Sequence, residues 1–390
     1  MEKYNSDLYL FISCTQSEQK HVSHVHDEEG RKYIAELENT ARYEFDSGIF
    51  ENIKRTLLGR ITLVCKDDNR ERPSVNGNQD AFLVVTTYKR ANIHLLTIVI
   101  SDVEVNHTFL LDQASRNELI VLMDGNETLF ADWVKEAYGF VTMGKAYSAS
   151  CVSKLVEPVA PYLLAAESYH EDAAMRIASP DIDRMLQQNV AQYSIYKAYL
   201  SPSSLLYVMH DFPESYADRL YVECLMVFIM ELVVLQITAI GCVNKIIIDK
   251  LSEQKEISLN DILKLYELFA ATMPLWDIRK FRYDIAQTFA DKVSESFKVD
   301  VLMNTYEKNR KMLEDLERVK GSISSEKESK ILNMVATSLA IIQVLPLGYA
   351  ISLYLFEGNN VTLKQYFSLL SISALILLPI GILRLRKLRK

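Results

Sequence analysis

Few residues of this 390-residue chain stand in patterns that could do chemistry. There is no glycine-rich phosphate loop, no dinucleotide fingerprint, no zinc-protease His-Glu pair and no nucleophile elbow. His21, His24 and His26 precede Asp27, Glu28 and Glu29, a run of metal-capable groups. On a strand His24 and His26 would share a face, but no second ligand set accompanies them, so a solvated polar segment is the favoured reading. Asp67-Asp68 reads as a turn rather than a metal site. The more informative pattern lies near the C-terminus. At 100° per residue, Asn333, Thr337, Ala340, Val344, Leu347 and Ile351 fall within about 40° of one direction on a helix. That face starts polar and becomes apolar. Repeated around a symmetric ring, it would give hydrated polar rings and then an apolar constriction able to gate by dewetting. Asn333 and Thr337 read equally as residues at the interfacial end that bond neighbouring helices.

The elements that must carry this stripe are legible. Ile331 to Phe356 runs for 26 residues without Asp, Glu, Lys, Arg or His. A helix rises about 1.5 Å per residue and the hydrocarbon core is about 30 Å thick, so roughly 20 residues suffice to cross. Tyr366 to Leu383 supplies 18 more apolar or hydroxyl residues, and Glu357 to Gln365 makes a nine-residue hairpin loop between the two. The chain closes with five positive charges within seven residues, from Arg384 to Lys390. Basic flanks stay in the cytoplasm. The expectation is a multi-pass protein of the inner (cell) membrane with both termini cytoplasmic and the hairpin loop outside.

The net charge of −8 becomes −13 once the five basic tail residues are set aside. An acidic cytosolic portion argues against direct nucleic-acid binding and suits nearby cations, or simply solubility. The five cysteines, Cys14, Cys65, Cys151, Cys224 and Cys242, are odd in number and widely spaced, as free thiols of a reducing compartment would be. Charges come early at the N-terminus, and Tyr9 to Ile12 is too short for a signal peptide.

The expected fold class is an α+β membrane protein. Residues 1–157 form a cytosolic α/β domain, 158–282 a cytosolic helical region and 283–330 a stalk helix. Residues 331–356 form the first spanning helix, 357–365 the outer loop, 366–383 the second span and 384–390 the basic tail. Arg60–Lys66, Ala81–Tyr88 and Ile93–Ile100 read as strands, with a hairpin turn at Lys89–Asn92. Ser115–Val121 and Glu127–Tyr138 read as helices, and Pro158 and Pro161 mark the domain boundary. Ser179-Pro180 caps a helix through Leu200, Ser201-Pro202 opens another segment, and Ser258-x-x-Asp261 starts a helix. Ile285, Phe289, Val293, Phe297 and Val301 are each four apart, and neither Pro nor Gly occurs from Tyr283 to Lys320. Those 38 residues predict a helix about 57 Å long that runs almost unbroken into the first span. Cys224 to Val243 is apolar enough to mimic a third span. A central Glu231 would cost roughly 2.5–3.5 kcal/mol in a bilayer, so a buried helix of the cytosolic part is expected.

A long helix feeding two closely spaced C-terminal spans, Gly358-x-Asn360 after the first, and a basic tail together resemble the CorA-like family of two-span cation channels. That family carries a Gly-Met-Asn signature after its first span. Here Asn359 replaces the Met, Glu357 stands where an aromatic is usual, and Leu345-Pro346-Leu347 lies further upstream than in the family. These departures point away from magnesium selectivity and towards divergent members associated with type III CRISPR antiviral systems. The segment Arg219 to Glu231 is similar to part of those effectors. The resemblance implies a homopentameric, non-enzymatic channel in the lipid bilayer. Its first span lines the pore, with Glu357, Gly358, Asn359 and Asn360 at the outer mouth. The funnel would be switched by a small nucleotide activator, S-adenosylmethionine joined to AMP. The implied ligand is thus an adenosine-containing nucleotide or a divalent cation, with no resident cofactor. Two other readings stay open: a divalent-cation transporter regulated by the metal itself, and a membrane-anchored helical scaffold. The ligand-binding and metal-binding residues are not legible.

Overall fold

A computed structural model describes residues 6–18, 20, 27–44, 51–65, 77–103, 107–123, 125–156, 159–167, 180–191, 196–252, 259–275 and 281–312, and scattered helical positions out to 337. Among these the fold is mixed α+β. Residues Met1–Asn309 form one compact unit and Arg310–Lys390 a second.

The first unit is built on a ten-stranded sheet. Its strands are β1 (Ser6–Gln16), β2 (Ile53–Cys65), β3 (Gly77–Tyr88), β4 (Ile93–Ile100), β5 (Ile120–Met123), β6 (Asn126–Leu129), β7 (Phe140–Thr142), β8 (Tyr147–Val152), β9 (Tyr196–Leu200) and β10 (Ser204–Met209). Their order across the sheet is β6-β5-β2-β3-β4-β1-β8-β10-β9, with β7 pairing to β1 off that path. Every pair is antiparallel except β8 with β10. That parallel pair needs a crossover, which α4 (Ala160–Ala165) and α5 (Pro180–Gln187) supply over one face.

Period-two alternation divides the residues of β1 between two layers. Leu8, Leu10, Ile12 and Cys14 enter a core closed by α2 (His107–Arg116), α3 (Phe130–Tyr138) and α4. Asp7, Tyr9 and Ser13 face the other way and meet α6 (Tyr216–Ser252). This helix lies across β4, β1 and β8, and α1 (Glu28–Glu44), α7 (Leu259–Thr272) and α8 (Asp284–Ser296) pack along its sides. A helix that is apolar all round must be covered all round. Of its most apolar stretch, 94% is buried. Among the described residues α6 alone is long and apolar enough to cross a membrane, and it is a core helix of this unit, as expected.

Several expectations are corrected. The sheet runs through the boundary drawn at 157/158, because β9 and β10 continue it beyond β8. The helix expected from Ser179 to Leu200 stops at Gln187. Asn189 Oδ1 accepts from the N–H groups of Ala191 and Ala198, at 3.0 and 2.9 Å, and turns the chain into β9. The segment that Ser201 opens is strand β10. The Ser201 Oγ accepts from Ser204 N–H at 3.0 Å and closes the β9–β10 hairpin. Ser115–Val121 is the end of α2 and the start of β5, divided by Asn117 at φ 63. Glu127–Leu129 is strand, with α3 starting at Phe130. The stalk is interrupted too. α8 ends at Ser296, Lys298 takes a left-handed φ of 58, and helix resumes over 299–312. Phe297 stacks on Tyr147 with centroids 5.0 Å apart, and Ser296 Oγ donates to Ser201 O at 2.9 Å, so the break is tied to the sheet.

Gly139 closes α3 at φ 75, and its N–H donates to Lys135 O. A Cβ there would lie 2.4 Å from the backbone oxygen of Glu18. Gly139→Ala is therefore expected to cost about 2 kcal/mol or more in urea denaturation, from left-handed strain plus a backbone clash.

Candidate ligand site between α1, α6, α8 and the sheet

The apolar helix α6 carries three charged residues on its inner side, and each meets an opposite charge or a donor from the sheet. Arg219 is wholly buried. Its Nε and Nη2 donate to Asp7 at 2.7 and 3.1 Å, and Nη2 also donates to Asp102 at 2.8 Å. Nη1 donates to the carbonyls of Pro213 and Glu214. Asp102 sits at φ 54 and offers its N–H to Asp7. One turn on, Glu223 accepts from Tyr9 OH at 2.8 Å, while its Oε1 is buried without a hydrogen-bond partner. Two turns further, Glu231 receives Arg55 Nε at 3.0 Å and Nη2 at 2.5 Å, as well as the Thr86 hydroxyl. Thr238 then bonds Ser13 at 2.6 Å.

Burial pushes the carboxyl of Glu223 up to about 8, and the neighbouring Asp7 charge adds to this. Burial raises Asp7 as well, but Arg219 and the Asp102 N–H pull it back. The pair therefore holds its proton on Glu223. All five cysteines are free and buried.

The opposite side of the same helix opens into a pocket of about 720 Å³. α6 contributes Tyr221, Val222, Cys224, Leu225, Met226 and Ile229. From α1 come Glu36, Asn39, Thr40, Tyr43 and Glu44, of which the first four share one helical face. Tyr196, Ala198 and Tyr207 enter from β9 and β10, and Ile285, Ala286 and Phe289 from α8. The Tyr196 and Tyr207 rings lie 5.4 Å apart. Tyr221 is 74% exposed. Tyr43 packs on Tyr283 with centroids at 5.8 Å, and their hydroxyls are 3.2 Å apart. Thr40 Oγ1 donates to Cys224 Sγ at 3.1 Å. The size and the mix of apolar walls with few polar groups suit a small organic ligand.

No match is found among protein-family models, curated proteins or solved structures.

Of the metal-capable run, Asp27 and Glu29 are engaged by other partners. Asp27 caps α1 by accepting from Gly30 N–H at 2.8 Å and pairs with Arg60, which also holds Glu29 at 2.8 Å. Among the described residues no three His, Cys, Asp or Glu side chains converge as a metal site. His21, His24, His26, Asp67 and Asp68 lie outside the described residues. Of the pore stripe, Asn333 and Thr337 are helical and exposed, with Thr337 Oγ1 donating to Asn333 O at 2.7 Å. Ala340, Val344, Leu347, Ile351, Glu357, Gly358, Asn359 and Asn360, with both apolar stretches after 337, lie outside the described residues. The pocket itself was not read from sequence. Its tyrosines come from four separate elements, and no local spacing links them.

Proposed function

We propose that the protein is an oligomeric, CorA-like membrane pore whose N-terminal unit binds a small ligand and opens it. On this reading the sequence from 331 to 383 spans the bilayer twice and copies of the chain form a ring, most simply of five. The ligand would be an adenosine-containing nucleotide such as S-adenosylmethionine joined to AMP, and the setting antiviral defence beside a type III CRISPR system. The observation that carries the reading is the aromatic pocket on α6. Its α8 wall, through Ile285 and Phe289, is the first helical segment of the stretch that leads, through the helix over 299–312, towards the C-terminal unit in the chain. A ligand seated there would touch the first segment of the stalk, which is where a sensor should act. The ligand is bound rather than transformed, and its binding free energy is the switch.

Full-length protein in liposomes tests this. The parent should conduct only when the nucleotide is added, while Val344→Asn should leak without it, because a ring of amides restores water to an apolar constriction. Mg²⁺ acting in place of the nucleotide would favour a metal-regulated transporter. A monomer in detergent with no flux under any condition would reduce the spans to anchors.

A further inference from the structure

We propose that the pocket receives a ligand in which a planar ring adjoins a positive charge, the ring against the tyrosines and the charge towards Glu36. This takes the pocket as the ligand site of the reading above and specifies the chemistry it selects. None of the described residues that line the cavity is basic, whereas Glu36 and Glu44 are acidic. A phosphate drawn into it would meet two carboxylates, which disfavour anions. A cation meets the reverse. Tyrosine faces attract it, and Glu36 stands half-buried on α1 beside Thr40 and Asn39, whose oxygens can accept from an ammonium.

Glu44 is the weaker of the two acids for this purpose. The positive charge of Arg282 lies close enough to it to offset part of its own. Its Oε2 is nevertheless enclosed without a hydrogen-bond partner, an acceptor that a donor-bearing ligand would satisfy. Any phosphates of a nucleotide ligand would therefore project out of the cavity rather than into it.

The test is a matched series that differs only in the 5′ substituent: 5′-amino-5′-deoxyadenosine, adenosine and AMP. Each is titrated calorimetrically into the full-length protein in detergent near neutral pH. The amine should bind about tenfold tighter than adenosine, and AMP should bind weakest. Glu36→Gln should abolish the advantage of the amine over adenosine without lowering the thermal midpoint. Tyr221→Ala, at an exposed position, should weaken all three alike. AMP binding as well as the amine would overturn the proposal, as would survival of the amine preference in Glu36→Gln or failure of all three to bind. Liposome flux separates the two levels. If AMP binds best and nucleotide still opens the pore, only the charge assignment falls. If the amine preference holds and no ligand produces flux, the pore reading falls instead.

Discussion

Arg219→Met is expected to lower the stability of the N-terminal unit by about 3–5 kcal/mol, the usual cost of removing one partner from a buried ion pair. Arg219 is wholly enclosed and spreads its donors over Asp7, Asp102 and the carbonyls of Pro213 and Glu214. Methionine fills much of the space but leaves Asp7 as an unpaired charge beneath α6. Urea denaturation of the full chain in detergent, followed by circular dichroism, reads the change. Adding Asp7→Asn to Arg219→Met should recover part of the loss, since it removes the orphaned charge. A single variant within about 1 kcal/mol of the parent would mean that packing alone seats α6 on the sheet.

Glu223→Gln should have the opposite sign at high pH. In the folded chain burial holds this carboxyl at about 8 against an ordinary 4.5. A raised carboxyl contributes fully below its unfolded value, and that contribution is lost as pH rises through the folded one. The contribution of Glu223 to the parent's stability should therefore fall between about pH 4.5 and pH 8 by an amount on the order of 5 kcal/mol. Glutamine imitates the protonated acid and does not titrate, so the variant should be the more stable protein above pH 8, with a flatter profile. Any slope that remains comes from the other shifted groups: Asp7 and Glu44, which burial also raises, and His94 and His107, which burial lowers. Identical profiles for variant and parent would show that Glu223 does not carry the proton.

Where a residue's neighbours in sequence decide its conformation, the reading and the structure agree. The β-branched runs at 60–66, 81–88 and 93–100 fall, over their described residues, in strands β2, β3 and β4, and the turn at 89–92 joins β3 to β4 where expected. The apolar run around Glu231 is a buried helix, because its one central charge has Arg55 and Thr86 to meet. Disagreement appears where a distant partner decides. Tyr196–Leu200 contains no helix breaker, yet β10 claims it as a strand through five paired residues. The four-residue apolar spacing continues through Phe297, but that ring is drawn onto Tyr147 of β8 and the helix breaks beside it. Arg219, Glu223 and Glu231 are separated by four and eight residues, and Glu231 is the one charge in the apolar run from Cys224 to Val243, a signal the sequence does contain. The tyrosine pocket has no such signal, since its walls are brought together only by the finished sheet.

The placement of β1 has a consequence for synthesis. Residues 6–16 precede every other strand of the sheet in the chain, yet they become a central strand between β4 and β8, and Ser13 waits for Thr238. Chains grow at about 5–20 residues per second, so this segment spends many seconds as an unpaired apolar edge. Nascent chains are then open to capture by one another or by chaperones, and short N-terminal truncations should be insoluble rather than merely weaker. The compact unit nevertheless ends at Asn309, before the first apolar stretch at Ile331 is made. On the proposed reading of 331–383 as two spans, the chain of the compact unit is complete before those spans are made, and a pause just past residue 309 would favour folding before insertion.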